Sequence, residues 1–112
     1  MVVALTWETI LEANLGTPPA LITDPNVIDT RLNTDVALSA DLTGGTSPTM
    51  TVTVYYYDEA SAEFQLTGDV FVLNPAVSNL VVTNPNGLRL GFTMTTSGAP
   101  SQADLNIGRR PV

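Results

Sequence analysis

The run Met50-Thr51-Val52-Thr53-Val54-Tyr55-Tyr56-Tyr57 alternates strictly, with Met50, Val52, Val54 and Tyr56 on one side and Thr51, Thr53, Tyr55 and Tyr57 on the other. A period of two, filled by β-branched and aromatic residues, marks a half-buried strand. The period recurs where Leu88, Leu90, Phe92 and Met94 alternate with Arg89, Gly91, Thr93 and Thr95. It recurs again where Val36, Leu38, Ala40 and Leu42 alternate with Ala37, Ser39, Asp41 and Thr43. Three such strands commit a short chain to sheets with one buried face.

The punctuation between strands is regular. Gly44-Gly45-Thr46-Ser47-Pro48, Asp58-Glu59-Ala60-Ser61, Thr67-Gly68-Asp69, Asn74-Pro75, Asn84-Pro85-Asn86-Gly87 and Gly98-Ala99-Pro100-Ser101 all read as turns. Glycine and asparagine tolerate positive φ, and proline presets φ near −65°. Asn84 to Gly87 is expected to close a hairpin between Leu80-Val81-Val82-Thr83 and the strand from Leu88. Turn signals about eight to twelve residues apart are the rhythm of an antiparallel sandwich or barrel. The predicted fold is all-β, an antiparallel β-sandwich of about eight strands, jelly-roll or immunoglobulin-like. It forms one domain over residues 1–112, with an N-terminal arm (1–25) and a C-terminal tail (105–112).

Val70-Phe71-Val72-Leu73 and Leu80-Val81-Val82 are apolar on both faces, although a strand with one wet face should alternate. Their outward side chains call for cover, either from the chain's own arm or a long loop, or from another subunit. Within the arm, Val2 to Trp7 reads as an edge strand, whereas Trp7, Ile10, Leu11 and Leu15 fall at helical spacing. Thr9-Ile10-Leu11-Glu12 fits a capping box, and Gly16 is placed to end a turn.

Composition narrows the chemistry. The 112 residues contain no His, no Cys and, as basic residues, only Arg31, Arg89, Arg109 and Arg110 against eleven acids, for a net charge of −7. Without His, Cys or Lys the usual bases and nucleophiles are missing, so the expectation is a protein that is not an enzyme and uses no cofactor. An acidic surface repels phosphate backbones and anionic lipid, which argues against nucleic acid and membrane as partners. The opening Met1-Val2-Val3-Ala4-Leu5 has no positive n-region, and no run of 18 apolar residues follows. Neither a secretion leader nor a membrane span is expected.

Asp58, Glu59, Glu63 and Asp69 gather acid near two turns, but solvated loop carboxylates without an apolar pocket or a calcium-loop spacing are ordinary. Tyr55 and Tyr57 share an outward face with Thr51 and Thr53. They form either a platform for a sugar ring or a partner, or cross-strand packing that stabilises the sheet by itself. Arg109 and Arg110 place half of the positive charge at one end, as a basic tail able to pair with acid on a neighbouring copy. The surface residues singled out as contacts are Trp7, Ile10, Leu11, Tyr55, Tyr57, Phe71, Val81, Arg109 and Arg110.

The stretch from Met50 to Leu73, with Leu88 to Thr95 behind it, resembles the small accessory proteins of bacteriophage virions, especially head decoration or cement proteins. The resemblance covers about half the chain and lies in overall character, that of a Thr-rich, acidic chain free of Cys and Lys, with a short arm and a tail. It implies a homo-oligomer, a trimer favoured, bound to the major capsid protein or another virion protein at the capsid surface, where it stiffens the shell. A phage neck or tail adaptor would share the same features, whereas a carbohydrate-binding or host-attachment module would use Tyr55 and Tyr57 as stacking surfaces.

Overall fold

The computed structural model describes residues 5–74, 80–83 and 88–111. Its eight strands are β1 (Thr6–Ile10), β2 (Val27–Asp29), β3 (Asn33–Thr43), β4 (Thr49–Asp58), β5 (Glu63–Leu73), β6 (Leu80–Thr83), β7 (Arg89–Ser97) and β8 (Gln102–Pro111), with one 3-10 turn at Glu12–Asn14. They form two four-stranded antiparallel sheets, ordered β1-β8-β3-β6 and β2-β7-β4-β5. Strand pairs β1·β8, β2·β7, β3·β6 and β4·β5 nest one inside the next, as if one long hairpin had been rolled up. Pairings β3·β8 and β4·β7 then close each sheet. That wrapping is the jelly roll, so of the two sandwiches expected the structure selects this one.

The alternation read in the sequence sets the inner faces. Val36 and Leu38 on β3 and Ala103, Leu105 and Ile107 on β8 face Met50, Val52 and Val54 on β4 and Leu90 and Phe92 on β7, all buried. Apart from the small Ala103, each apolar side chain buried this way contributes about 1.5–3 kcal/mol. Where turns must fold back on one another, glycine is required. Gly45 (φ +75°) packs on Gly98 and Ala99, and Gly98 (φ +79°) comes within 2.8 Å of Pro48 Cα when a Cβ is built on it. The β3–β4 and β7–β8 loops thus lock together at one end of the sandwich, joined by Thr46 N–H donating to Gly98 O at 2.8 Å.

Several expectations are corrected. Residues 105–111 are no tail but seven of the ten residues of β8, the strand that lies between β1 and β3. The alternation of Ala103, Leu105 and Ile107 with Gln102, Asp104 and Asn106 was the signal for it. Leu80–Thr83 and Arg89–Ser97 do not form a hairpin, because β6 pairs with β3 in one sheet and β7 with β2 and β4 in the other; the turn at 84–87 lies outside the described residues. Thr67-Gly68-Asp69 is a bulge inside β5 rather than a turn between strands: the register with β4 jumps from Thr53↔Val70 to Tyr55↔Leu66. No helix forms at the capping box. Thr9 lies in β1 and its hydroxyl donates to Asn106 Oδ1 at 2.7 Å, and the 3-10 turn has no side-chain cap. Strand pairing with β8 outweighs one turn of helix propensity.

The arm is built into the fold. Leu15 is fully buried, and its carbonyl accepts Met94 N–H at 3.0 Å. Asn26 is 3% exposed; its side-chain amide donates to Thr17 O and Phe92 O, while Phe92 N–H donates to Asn26 O. Together with the short β2, these groups satisfy the β7 edge that β4 leaves open. Asp104, also buried, accepts Glu12 N–H at 2.9 Å and Gln102 Nε2–H at 2.6 Å, which ties the 3-10 turn to β8.

Candidate interaction surface

The outer face of the β2-β7-β4-β5 sheet is the most distinctive surface of the molecule. Register places Val72, Thr51 and Thr95 in one row across β5, β4 and β7, and Val70, Thr53 and Thr93 in the next. Beyond the bulge lies a third row, Leu66, Tyr55 and Gly91. None of these nine positions is charged, on a chain of net charge −7. Leu66, Val70 and Val72 are 64%, 56% and 54% exposed, so the arm leaves the apolar outside of β5 uncovered. What the arm covers is Gly91: Pro19 is buried against it, and a Cβ built at 91 would meet Pro19 Cγ at 2.5 Å and Phe64 Cε1 at 3.4 Å.

The candidate contact residues divide by face. Phe71 packs against the core, leaving Val70 and Val72 as the outward pair. Tyr55 and Tyr57 are half-buried on the outer face, and Tyr57 packs on Phe64 with ring centroids 5.2 Å apart and planes tilted by 60°. That tilted pair is cross-strand packing and does not extend a flat platform. Ile10 is 3% exposed and belongs to the core, so it is unavailable to a partner. Leu11 is exposed beside the 3-10 turn. Trp7 is 46% exposed, with its indole laid over Gly108, its cross-strand neighbour on β8 in the β1-β8-β3-β6 sheet: a Cβ there would stand 2.9 Å from Trp7 Cε2. Val81 is placed by its backbone opposite Ala37, and its side chain lies outside the described residues.

The arginines are already engaged within the chain. Arg31 pairs with Asp29 at 2.8 Å, Arg89 with Glu59 at 2.9 Å, Arg110 with Asp35 at 2.6 Å, and Arg109 with Glu8. Arg109 also donates to Asp29 O at 3.0 Å, and its Nε is buried with no hydrogen-bond partner among the described residues. A basic tail reaching to a neighbour is therefore replaced by two strand residues paired at home. The Asp29 carboxylate is held down to a pKa of about 2, chiefly by the hydrogen bond from Arg31. Backbone N–H groups of Leu21 and Ala20 likewise lower Asp24.

Two hollows are lined by none of these nine positions. One, of about 260 Å³, is lined by Ala13, Asn14, Thr17, Pro18, Asp24, Pro25 and Asn26. The other, of about 570 Å³, lies beside Arg109 at the end of the sandwich and includes Asp29, Arg31, Leu32 and Asn33. Among the described residues no three acidic side chains come together as a metal site, and no helix is long and apolar enough to cross a membrane. Asp58 takes Ala60 N–H in its turn and Glu59 takes Arg89, so these two loop acids serve local structure. No protein-family model matches this chain, and no curated protein matches it.

Proposed function

We propose that this chain is a non-catalytic virion structural protein, a capsid decoration or cement protein that works through protein–protein contact. The observation that carries the reading is the uncharged, partly apolar outer face around Val70 and Val72 on an otherwise acidic chain. Exposed apolar area rimmed by polar residues marks a protein contact. The jelly roll adds support as a wrap shared by viral capsid and lectin domains. Since a fold hosts many functions, the surface carries more weight than the fold. An arm tied down by Leu15, Asn26 and Asp104 suits a rigid part whose many weak contacts are multiplied by shell symmetry.

The test is proteomic and structural. Particles released by cells that encode the chain are banded by density, and their peptides are counted against the shell subunit. The expected result is the chain in fixed ratio to that subunit, with immunogold label on the heads. Label at the neck or tail would move it to the adaptor role. Absence from the particles, with binding of the purified chain to immobilised glycans, would replace the proposal with a carbohydrate-binding module.

A further inference from the structure

Among the described residues each sheet ends in two edge strands, β1 and β6 in one, β2 and β5 in the other. An edge strand exposes unpaired N–H and C=O groups, and proteins protect such edges by shortness, charge, proline or bulges. β1 has five residues with Glu8 among them, β2 has three and ends in Asp29, and β6 has four. β5 has eleven. Its first part is guarded by Glu63 and by the bulge at Thr67-Gly68-Asp69, where Gly68 takes φ +90°. The remaining Val70-Phe71-Val72-Leu73 has no charge, no proline and no bulge, and its two outward valines are more than half exposed.

We infer that a second copy of this chain occupies this edge, with β5 pairing antiparallel to β5 about a two-fold axis at Phe71. In that register Val70 faces the partner's Val72 and Val72 faces the partner's Val70. The four-stranded sheet becomes eight-stranded, and the two uncharged rows run on across the axis. The edge is its own complement, since a second copy presents the same uncharged strand, and the repulsion between two chains of net charge −7 is least where no carboxylates meet. The nearest acid, Asp69, lies two residues before the axis, so the two Asp69 side chains sit four residues apart along the strands. That is about 14 Å, beyond the screening length of about 8 Å at physiological salt. A basic partner would instead be drawn to the acids Asp58, Glu59 and Glu63 at the other end of β5. Pairing of this kind is isologous and closes at two chains. It deepens the assembly reading above and rests on it only for the use to which the pair is put.

The experiment is done on the purified full chain, free of any particle, so its failure leaves the particle test standing. Light scattering over a range of concentrations is expected to approach twice the 11.8 kDa of the chain. Val70→Lys/Val72→Lys, which sets lysines opposite one another, is expected to hold the mass at one chain with an unchanged circular dichroism spectrum. Because the chain has no cysteine of its own, an equimolar mixture of Val70→Cys and Val72→Cys chains tests the register. Oxidation should join unlike chains into a disulfide dimer, and each variant alone should join at least tenfold less. A monomer at every concentration, a mass of three chains, a lysine variant that still pairs, or equal cross-linking in the unmixed controls would each overturn the inference.

Discussion

Arg109, on β8 of one sheet, donates across the end of the sandwich to the backbone carbonyl of Asp29, on β2 of the other, at 3.0 Å. The same guanidinium pairs with Glu8 on β1, so one side chain ties three strands in two sheets. Arg109→Ala is expected to destabilise the fold by about 2 kcal/mol, since a charge-assisted bond and its packing are lost together. Glu8→Ala removes only a half-exposed ion pair and should cost under about 1 kcal/mol. Urea midpoints measure both, and equal midpoints for the two variants would show that the bond between sheets contributes nothing.

Gly91 is required by contact rather than by backbone angle, because a Cβ there runs into the ring of Pro19. Gly91→Ala should lift the arm and cost about 1–3 kcal/mol. Pro19→Ala in the same chain should recover part of that loss. The double-mutant cycle is expected to show at least about 1 kcal/mol of coupling; additive effects would mean that the arm does not press on β7.

The Asn26 amide serves two carbonyls that nothing else among the described hydrogen bonds reaches, Thr17 O and Phe92 O. Its removal in Asn26→Ala is expected to cost about 2–3 kcal/mol. Asn26→Asp should be worse at pH 7, since a carboxylate then faces two acceptors. Thermal melts of the pair decide this, and Asn26→Asp melting like the native chain would refute it.

Acid should weaken one identifiable contact. Because the Arg31 hydrogen bond holds the Asp29 pKa at about 2, below the unfolded value of about 3.9, its stabilisation is fully present above about pH 4. It is lost as pH falls through the folded value. The side chains are half exposed, so the effect stays under about 1 kcal/mol. The stability gap between the native chain and Asp29→Asn should shrink from pH 5 to pH 2. A gap that stays constant would count against the contact.

Much of this architecture can be read from residue spacing. The alternations around Val36, Met50 and Leu88 became β3, β4 and β7, with their apolar residues facing the core. β8 was equally legible through Ala103, Leu105 and Ile107, but two terminal arginines made that stretch look like a tail. Asn26, Asp104 and Pro19 had no such signal, because each acts on a residue far away in sequence: Phe92, Glu12 and Gly91. At the candidate surface, the apolar pattern of Val70 to Leu73 was visible, yet which two residues face outward was decided by the pairing of β5 with β4.

Residue order is enough to commit this chain to half-buried antiparallel strands, because a two-residue period allows only one side of each to enter a core. It is not enough to say how those strands wrap. Asn84 to Gly87 has the chemistry of a tight turn, but β6 and β7 belong to different sheets, since partners are chosen by which buried faces fit together. Long-range packing also placed the last four residues of β5 on a sheet edge among the described residues. Local sequence dictates which side of a strand is apolar; the assembled sandwich dictates which strand lies at an edge.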